Sequence, residues 1–200
     1  HVSFAIAPRI NAAGRLADAA RCVELLITED ETAAYEIAED LERENKERQR
    51  IGAEILEQAI AKLSSDYDFE KNKIIVLDDE NWHPGVIGIV ASKIVEQYSQ
   101  PAIMIARDGE LGKGSARSLS GFNIYEAMCQ CGDVFEKFGG HEMAAGLTVK
   151  AERIEELRRR INEVAVDMLQ GTELLPEILV DYKLEPQDVN LQTAKQLKLM

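Results

Sequence analysis

Between residues 31 and 63 the chain contains no proline and a single glycine, Gly52, and this uninterrupted stretch most constrains the fold. Alanine, glutamate, lysine and leucine dominate it, and apolar residues recur at helical spacing toward both ends. Its middle, 42–50, is charged on every face, which is typical of a solvated bridge between two packed bodies. The pattern predicts one long helix with a domain junction near its middle, capped by Thr28 and Glu31.

The chain after this helix alternates β-branched runs with amphipathic stretches, which predicts an α/β fold with a mixed sheet and flanking helices. The predicted strands are 73–77, 101–106, 112–119 and 145–149, and the predicted helices are 86–98, 123–138 and 151–169. The order of the first strand, helix and second strand predicts a right-handed parallel crossover. Asp108 and Gly109 predict a hairpin turn.

The two ends of the chain carry weaker patterns. Residues 8–16 are predicted to form a loop and 17–27 a short helix, because Pro8 disfavours helix before it. A strand is predicted at 174–182 and a helix at 192–200. The chain does not begin with methionine and ends inside an apolar helical pattern, so we expect an excised fragment.

The formal net charge of −13 argues against extensive wrapping by nucleic acid. Much of the acid lies in the predicted helices, however, and salt screens distant charges beyond a Debye length of ~8 Å. A local cationic pocket can therefore still bind phosphate. The sequence has no apolar run long enough for a membrane and no signal-peptide layout, so we expect a cytoplasmic protein. The three cysteines lack framework spacing, which favours reduced, structural thiols.

Three segments combine small residues with groups that suit phosphate. In 114–118, serine hydroxyls accompany the guanidinium of Arg117, although an edge strand with a solvated arginine fits equally well. In 138–146, a predicted glycine turn could leave N–H groups free as an anion nest beside a histidine, against the alternative of a plain surface turn. The predicted loop at 8–16 carries two arginines and an asparagine.

A fourth, weaker candidate is the turn that contains Trp82 and His83. Its aromatic ring could stack on a base, although a buried tryptophan at a strand–helix corner is the commoner outcome. His83 and His141 are far apart in sequence, and neither belongs to a metal-ligand motif. The sequence therefore predicts no self-sufficient metal site and no nucleolytic centre of its own.

Together, APRINAAGRL at 7–16, WHPGVIGIVASKI at 82–94, GSARS at 114–118 and FGGHEMAAG at 138–146 resemble the RecJ family of the DHH phosphoesterase superfamily. The resemblance implies four segments: 1–30 as the end of a DHH domain, 31–63 as a connector helix, 64–172 as the DHH-associated domain, and 173–200 as the start of an oligonucleotide-binding fold. The Asp-His-His run of the family is absent from this sequence.

The resemblance implies a 5′-to-3′ exonuclease specific for single-stranded DNA, with Mn²⁺ or Mg²⁺ in the parent enzyme and no cofactor in this fragment. His141 would face the scissile phosphate as the catalytic residue, and Arg9 or Arg15 would reach the 5′-phosphate from the opposite domain. The implied phosphate-binding residues are Arg9, Asn11, Arg15, Ser115, Arg117, Ser118, Gly139, Gly140 and His141. Trp82 and His83 would line the cleft.

Two further hypotheses stay open. One is a related phosphodiesterase acting on oligonucleotides or cyclic dinucleotides, and the other is a non-enzymatic module whose acidic helices bind proteins. Single-stranded DNA is the expected partner, with a single-strand-binding protein or a helicase as a further partner of the parent protein and no membrane.

Overall fold

The computed structural model describes residues 2–64, 67–171, 174 and 180–198. Its helices are α1 (Ala7–Leu16), α2 (Ala20–Ile27), α3 (Glu31–Ser64), α4 (Ile87–Tyr98), α5 (Ile124–Gln130), α6 (Ile154–Leu169) and α7 (Leu191–Leu197). Its strands are β1 (Ile75–Asp79), β2 (Ala102–Asp108), β3 (Leu111–Arg117), β4 (Phe135–His141) and β5 (Ala144–Lys150). A π-helical turn (Val2–Ile6) and three 3₁₀ turns (Gly132–Val134, Ala151–Arg153 and Pro186–Asp188) complete the description.

The five strands form one mixed sheet in the order β1-β2-β3-β5-β4. β1 and β2 pair in parallel across the α4 crossover, and all other neighbours are antiparallel. Gly109, at a φ of 59°, closes the predicted β2–β3 hairpin. The expected α/β fold with a mixed sheet and a long preceding helix is confirmed.

Helices cover the two faces of the sheet unequally. α5 and α6 pack on one face, where the core runs from Ile74 to Leu147 across all five strands. α3 and α4 pack on the other face, but their core reaches only β1 and β2, through side chains such as Leu77 and Met104. The described helices therefore leave the second face uncovered over β5 and β4, whereas α4 covers part of β3. Among the described helices, none combines the length and apolar character that crossing a bilayer requires.

Helix α3 matches its prediction in length but not in its cap or its surroundings. Asp30, rather than Thr28, accepts hydrogen bonds from the first-turn N–H groups of Thr32 and Ala33. The middle of α3 is not solvated on every side, because Asn45 is only 4% exposed. Here α1 packs against α3 and covers part of the charged segment.

The predicted loop at 8–16 is wrong, since these residues form α1. Pro8 lies in the first turn of α1, where backbone N–H groups have no acceptor within the helix. Proline therefore loses no hydrogen bond there, and its fixed φ suits the helix. Ala12 and Ala13 are fully buried, and Ala13 packs with Ile37 and Leu41 of α3. Small residues on one side of α1 thus allow close helix packing.

The predicted helix at 123–138 and the glycine turn after it are also wrong. The helix begins at Asn123, whose side chain accepts from the N–H of Glu126, but it ends at Gln130. Phe135 then starts β4, which contains both Gly139 and Gly140. The chain reverses between His141 and Ala144 instead. The strand predicted at 174–182 lies mostly outside the described residues, and residues 174 and 180–182 carry no strand.

Side chains of α6 close the free edge of β1. Asn162 accepts from the N–H of Ile74 at 2.8 Å and donates to its carbonyl at 3.1 Å, and Arg158 donates to the carbonyl of Val76 at 3.1 Å. Ile74 is fully buried, and its N–H would otherwise have no partner among the described residues, whereas its carbonyl also accepts from the hydroxyl of Tyr67 at 3.2 Å.

We predict that Asn162→Ala lowers the free energy of unfolding by about 1–3 kcal/mol, because it leaves the buried N–H of Ile74 unpaired. Urea unfolding of this variant measures the effect. Arg159→Ala, on the same helix, removes only an exposed ion pair with Glu163 and serves as the control. Equal stability of the two variants would contradict the edge-closing role of Asn162.

We predict opposite outcomes for alanine at the two adjacent glycines of β4. A Cβ at Gly140 would lie 2.5 Å from the Cα of Ala145 and closer still to the carbonyl of Ala144, so Gly140→Ala should cost roughly 1–3 kcal/mol. A Cβ at Gly139 meets nothing within 4 Å, so Gly139→Ala should change stability by less than about 0.5 kcal/mol. Thermal unfolding compares them, and similar losses would show that the β4 register differs.

Candidate functional site

The part of the sheet that α3 and α4 leave open, over β5, β4 and part of β3, brings two of the sequence motifs together. Three cross-strand rows line it, each with one residue from every strand. From the end nearest the start of α4, the rows are Arg117–Ala144–His141, Ser115–Gly146–Gly139 and Lys113–Thr148–Lys137. We call these nine residues the open face. Directly opposed residues share a face, and the alternate residues of these strands are buried against α5 and α6.

Small residues form the floor of the open face. Ala144 and Gly146 occupy the central strand, and Gly139 lies beside them on the edge strand. A Cβ built at Gly139 or Gly146 meets nothing within 4 Å. Arg117 and His141 stand on either side of Ala144, so two strand spacings, about 10 Å, separate their Cα atoms. The open face is thus a shallow trough with a cation on one wall and a histidine on the other.

Arg117 is the best-supported anion-binding group of the trough. Its Nη1 donates to the hydroxyl oxygen of Ser115 at 2.9 Å and to the carbonyl of Ala116 at 2.7 Å. The guanidinium is half-buried, yet no ion pair found in the described residues involves it. Burial lowers the pKa of Arg117, and the positive charge of Arg15 lowers it further. Both effects disfavour the charged form, so a bound anion would relieve them.

The two arginines of α1 differ in how far they are already neutralised. Arg9 forms an ion pair with Glu42 at 2.6 Å and also donates to the carbonyl of Ala5. Arg15 donates to the carbonyl of Gly85 at 3.0 Å, and no carboxylate pairs with it within the described ranges. Because Arg15 also acts electrostatically on Arg117, it brings a second cation to the same end of the trough.

The N-terminus of α4 lies at this same end. A Cβ at Gly88, in the first turn of α4, would lie 2.9 Å from Ser115 Oγ and 3.0 Å from Arg117 Nη2. A Cβ at Gly85 would collide with the carbonyl oxygen of Arg15. Glycine at both positions lets the arginines approach a helix start, whose N–H groups and dipole favour anions.

The two embedded histidines each use one ring nitrogen in a local turn. His141 Nδ1 accepts from the N–H of Met143 at 3.3 Å, and His83 Nδ1 accepts from the N–H of Gly85 at 3.1 Å. In the neutral state this arrangement assigns the proton to Nε2. His141 is exposed on the trough wall, where its Nε2–H could donate to a phosphate oxygen.

Three predicted contact residues are placed otherwise by the structure. Ser118 is 8% exposed, and its hydroxyl donates to the carbonyl of Phe122 at 2.7 Å, so it closes a turn. Trp82 is 3% exposed and donates to Gln58 of α3 at 2.8 Å, which leaves no ring face for a base. Asn11 is exposed on α1, outside the open face.

The glycine pair does not form the predicted anion nest. Gly139 and Gly140 pair with Gly146 and Ala145 as strand residues, so their backbone is extended rather than curled around an anion. Gly139 contributes open space to the trough. Gly140 contributes the close approach to β5 described above.

Sequence reasoning missed Gly88, Ala144 and Gly146 as parts of the site. The motif marks Ala144 and Gly146 only as small residues after a histidine, and the helical pattern gives Gly88 no separate role. Period-two alternation of small and apolar residues in 144–149 was the available signal, because it assigns Ala144, Gly146 and Thr148 to one face. No pattern in the sequence indicated that Gly88 would contact β3.

The described residues provide no set of ligands for a metal ion. Within the residues that the structure describes, no group of three or more histidine, cysteine, aspartate or glutamate side chains could hold a metal ion. His141 and the acidic residue beside it, Glu142, are both exposed, and the cysteines are free thiols. The trough therefore offers donors to an anion rather than ligands to a metal.

Several known proteins are similar to this chain in sequence and in fold. The DHHA1 domain family matches residues 71–167. The single-stranded-DNA-specific exonuclease RecJ of Bacillus subtilis is 39% identical over 100% of this chain and 25% of its own length. Its counterpart in Haemophilus influenzae is 37% identical over 98% of the chain and 36% of its own length.

The fold agrees with crystal structures of RecJ from Thermus thermophilus in complex with Mn²⁺ or Mg²⁺. Both superpose with a TM-score of 0.83 at 34% identity over 99% of this chain, and the match covers 29% and 30% of those chains. The chain thus spans about a quarter to a third of the length of these relatives. It belongs to the RecJ family, of which it represents one part that includes the DHHA1 domain.

Proposed function

We propose that this chain is the substrate-binding part of a 5′-to-3′ exonuclease specific for single-stranded DNA, and that it grips the 5′-phosphate end. One observation carries the proposal: Arg15, bonded to Gly85 just before α4, acts electrostatically on Arg117 beside Ser115, and neither guanidinium forms an ion pair within the described residues. Two arginines held together in a strongly acidic chain indicate an anionic ligand.

Each group has a distinct part in this grip. The planar guanidinium of Arg117 suits two oxygens of a terminal phosphate. Its hydrogen bond to the hydroxyl of Ser115 orients it. Arg15 adds charge from α1. A strand held there would cross the floor beside His141, whose Nε2–H could donate to the scissile phosphate or to the leaving oxygen.

Cleavage is assigned to the full-length protein rather than to these residues. The T. thermophilus relatives were crystallised with Mn²⁺ or Mg²⁺, whereas the described residues of this chain provide no ligand set. We therefore derive no hydrolytic step from them. We further infer that the parent acts in the cytoplasm, together with a single-strand-binding protein or a helicase. The division into segments 1–30, 31–63, 64–172 and 173–200 likewise stays a prediction.

We predict that Arg117→Gln removes the preference for a 5′-phosphate. Wild-type chain should bind a 5′-phosphorylated oligothymidylate more tightly than its 5′-hydroxyl counterpart, and the variant should lose on the order of tenfold, the effect of one charge-assisted hydrogen bond. Fluorescence anisotropy with both oligonucleotides measures the ratio. Arg117→Lys separates charge from fork geometry, because lysine keeps only the charge.

The control for that experiment is Arg159→Gln, which removes an exposed, ion-paired guanidinium from α6, on the other side of the sheet. It should leave the 5′-phosphate preference unchanged. An unaltered preference in Arg117→Gln would contradict the proposed grip.

We predict that Arg15, rather than Arg9, contributes to the same grip. Arg15→Gln should reduce the 5′-phosphate preference several-fold, whereas Arg9→Gln should leave it unchanged because Glu42 already neutralises that guanidinium. The same anisotropy assay measures both, and each variant removes one charge from the same helix. A larger effect from Arg9→Gln would reassign the second cation.

A further inference from the structure

The far row of the open face carries two lysines that the proposed grip does not use. Lys113 of β3 and Lys137 of β4 both stand opposite Thr148, one on each side of it. Lys150 lies two residues after Thr148 on β5 and therefore on the same side of the sheet. All three side chains belong to exposed residues, and none of them forms an ion pair with a carboxylate in the described part of the chain. The nearest acids in sequence are Glu110 at the hairpin, Glu136 at the β4 irregularity and Glu152 after β5.

The spacing of the rows matches a single strand of nucleic acid. Consecutive rows are two residues apart, which is about 7 Å along the strands. A nucleotide repeat has twice as many backbone bonds as an amino-acid residue, so an extended strand also advances roughly 7 Å per nucleotide. The open face therefore offers about one row per nucleotide, and the lysine row lies about 14 Å, or two nucleotides, from the row of Arg117.

The charge distribution gives the trough a direction. Its near end is bounded by the Glu142–Met143 turn, which carries a carboxylate. Its middle row, Ser115–Gly146–Gly139, is uncharged and leaves open space at the two glycines. Its far end carries the lysines. Within the open face, the next cations for a polyanion that starts at Arg117 are Lys113 and Lys137.

We infer that Lys113 and Lys137 form a second phosphate subsite, which binds the third phosphate of a single strand whose 5′-phosphate lies at Arg117. The inference rests on the proposed function for the position of the first phosphate. It adds a length requirement to that function: a 5′-phosphorylated dinucleotide ends before the lysine row, whereas a trinucleotide reaches it. Thr148 lies between the two lysines in this row, so their Cα atoms are two strand spacings, about 10 Å, apart.

The test compares 5′-phosphorylated oligothymidylates of two, three, four and eight nucleotides on wild-type chain and on Lys113→Gln/Lys137→Gln. Wild type should gain affinity between two and three nucleotides. The double variant should lose this gain, weaken the trinucleotide roughly three- to tenfold, and lower the slope of log K against log salt by about 1 for the octanucleotide. Its dinucleotide affinity and its 5′-phosphate preference should equal those of wild type.

Two companion variants complete the design. Lys71→Gln/Lys183→Gln removes two exposed lysines outside the open face and should keep the gain at three nucleotides. Lys113→Arg/Lys137→Arg keeps both charges and should also keep it, which separates loss of charge from loss of folding.

The outcomes separate this inference from the proposed function. If wild type prefers a 5′-phosphate and the double glutamine variant still gains affinity at three nucleotides, the lysine subsite is wrong and the grip stands. If wild type shows no 5′-phosphate preference at all, the grip itself is wrong, and the lysine subsite loses the origin from which its register is counted.

Discussion

The packing of helix α3 against two separate groups of elements sets the geometry on which the candidate site depends. Its first half packs on α1 and α2 through Ile37 and Leu41, and its second half is fixed to the sheet. Gln58 accepts from the Trp82 ring, and Lys62 pairs with Asp79 at 3.0 Å. Because a helix is stiff, these contacts determine the position of α1, and therefore of Arg15, relative to the sheet. The position of Arg15 relative to Arg117 therefore depends on the packing of both halves.

The net negative charge of the chain is compatible with anion binding at one site because salt screens distant charges and several acids are already paired locally. Arg50 lies between two glutamates of α3, and Glu156 of α6 accepts from Arg153 and Arg160. Such pairs leave little field at a distance. Arg15 and Arg117 have the opposite arrangement, because they repel each other and one of them is half-buried. Holding them together costs stability that an anion can restore.

The order and type of most elements could be predicted from the sequence, because period and β-branching are local signals. The mixed sheet, the long helix and the β2–β3 hairpin follow from such patterns. The errors at 8–16 and 139–141 share one cause: proline and glycine are common in loops, whereas here the proline begins a helix and the glycines lie in a strand. Which cations stay unpaired could not be predicted, since the Arg9–Glu42 pair depends on how α1 packs on α3.

The register of β4 shows why the motif at 138–146 could be recognised while its chemistry was misassigned. A one-residue slip would place Gly140 and Phe138 on the open face and turn His141 into the α5–α6 side. The contact of Gly140 with the backbone of Ala144 and Ala145 leaves no room for a side chain there, so the present register requires glycine at that position. Gly139 is free of such contacts and keeps the floor open. The two adjacent glycines therefore have different roles. Gly140 fixes the register of β4 and so the position of His141, and Gly139 leaves room for a DNA strand beside that histidine.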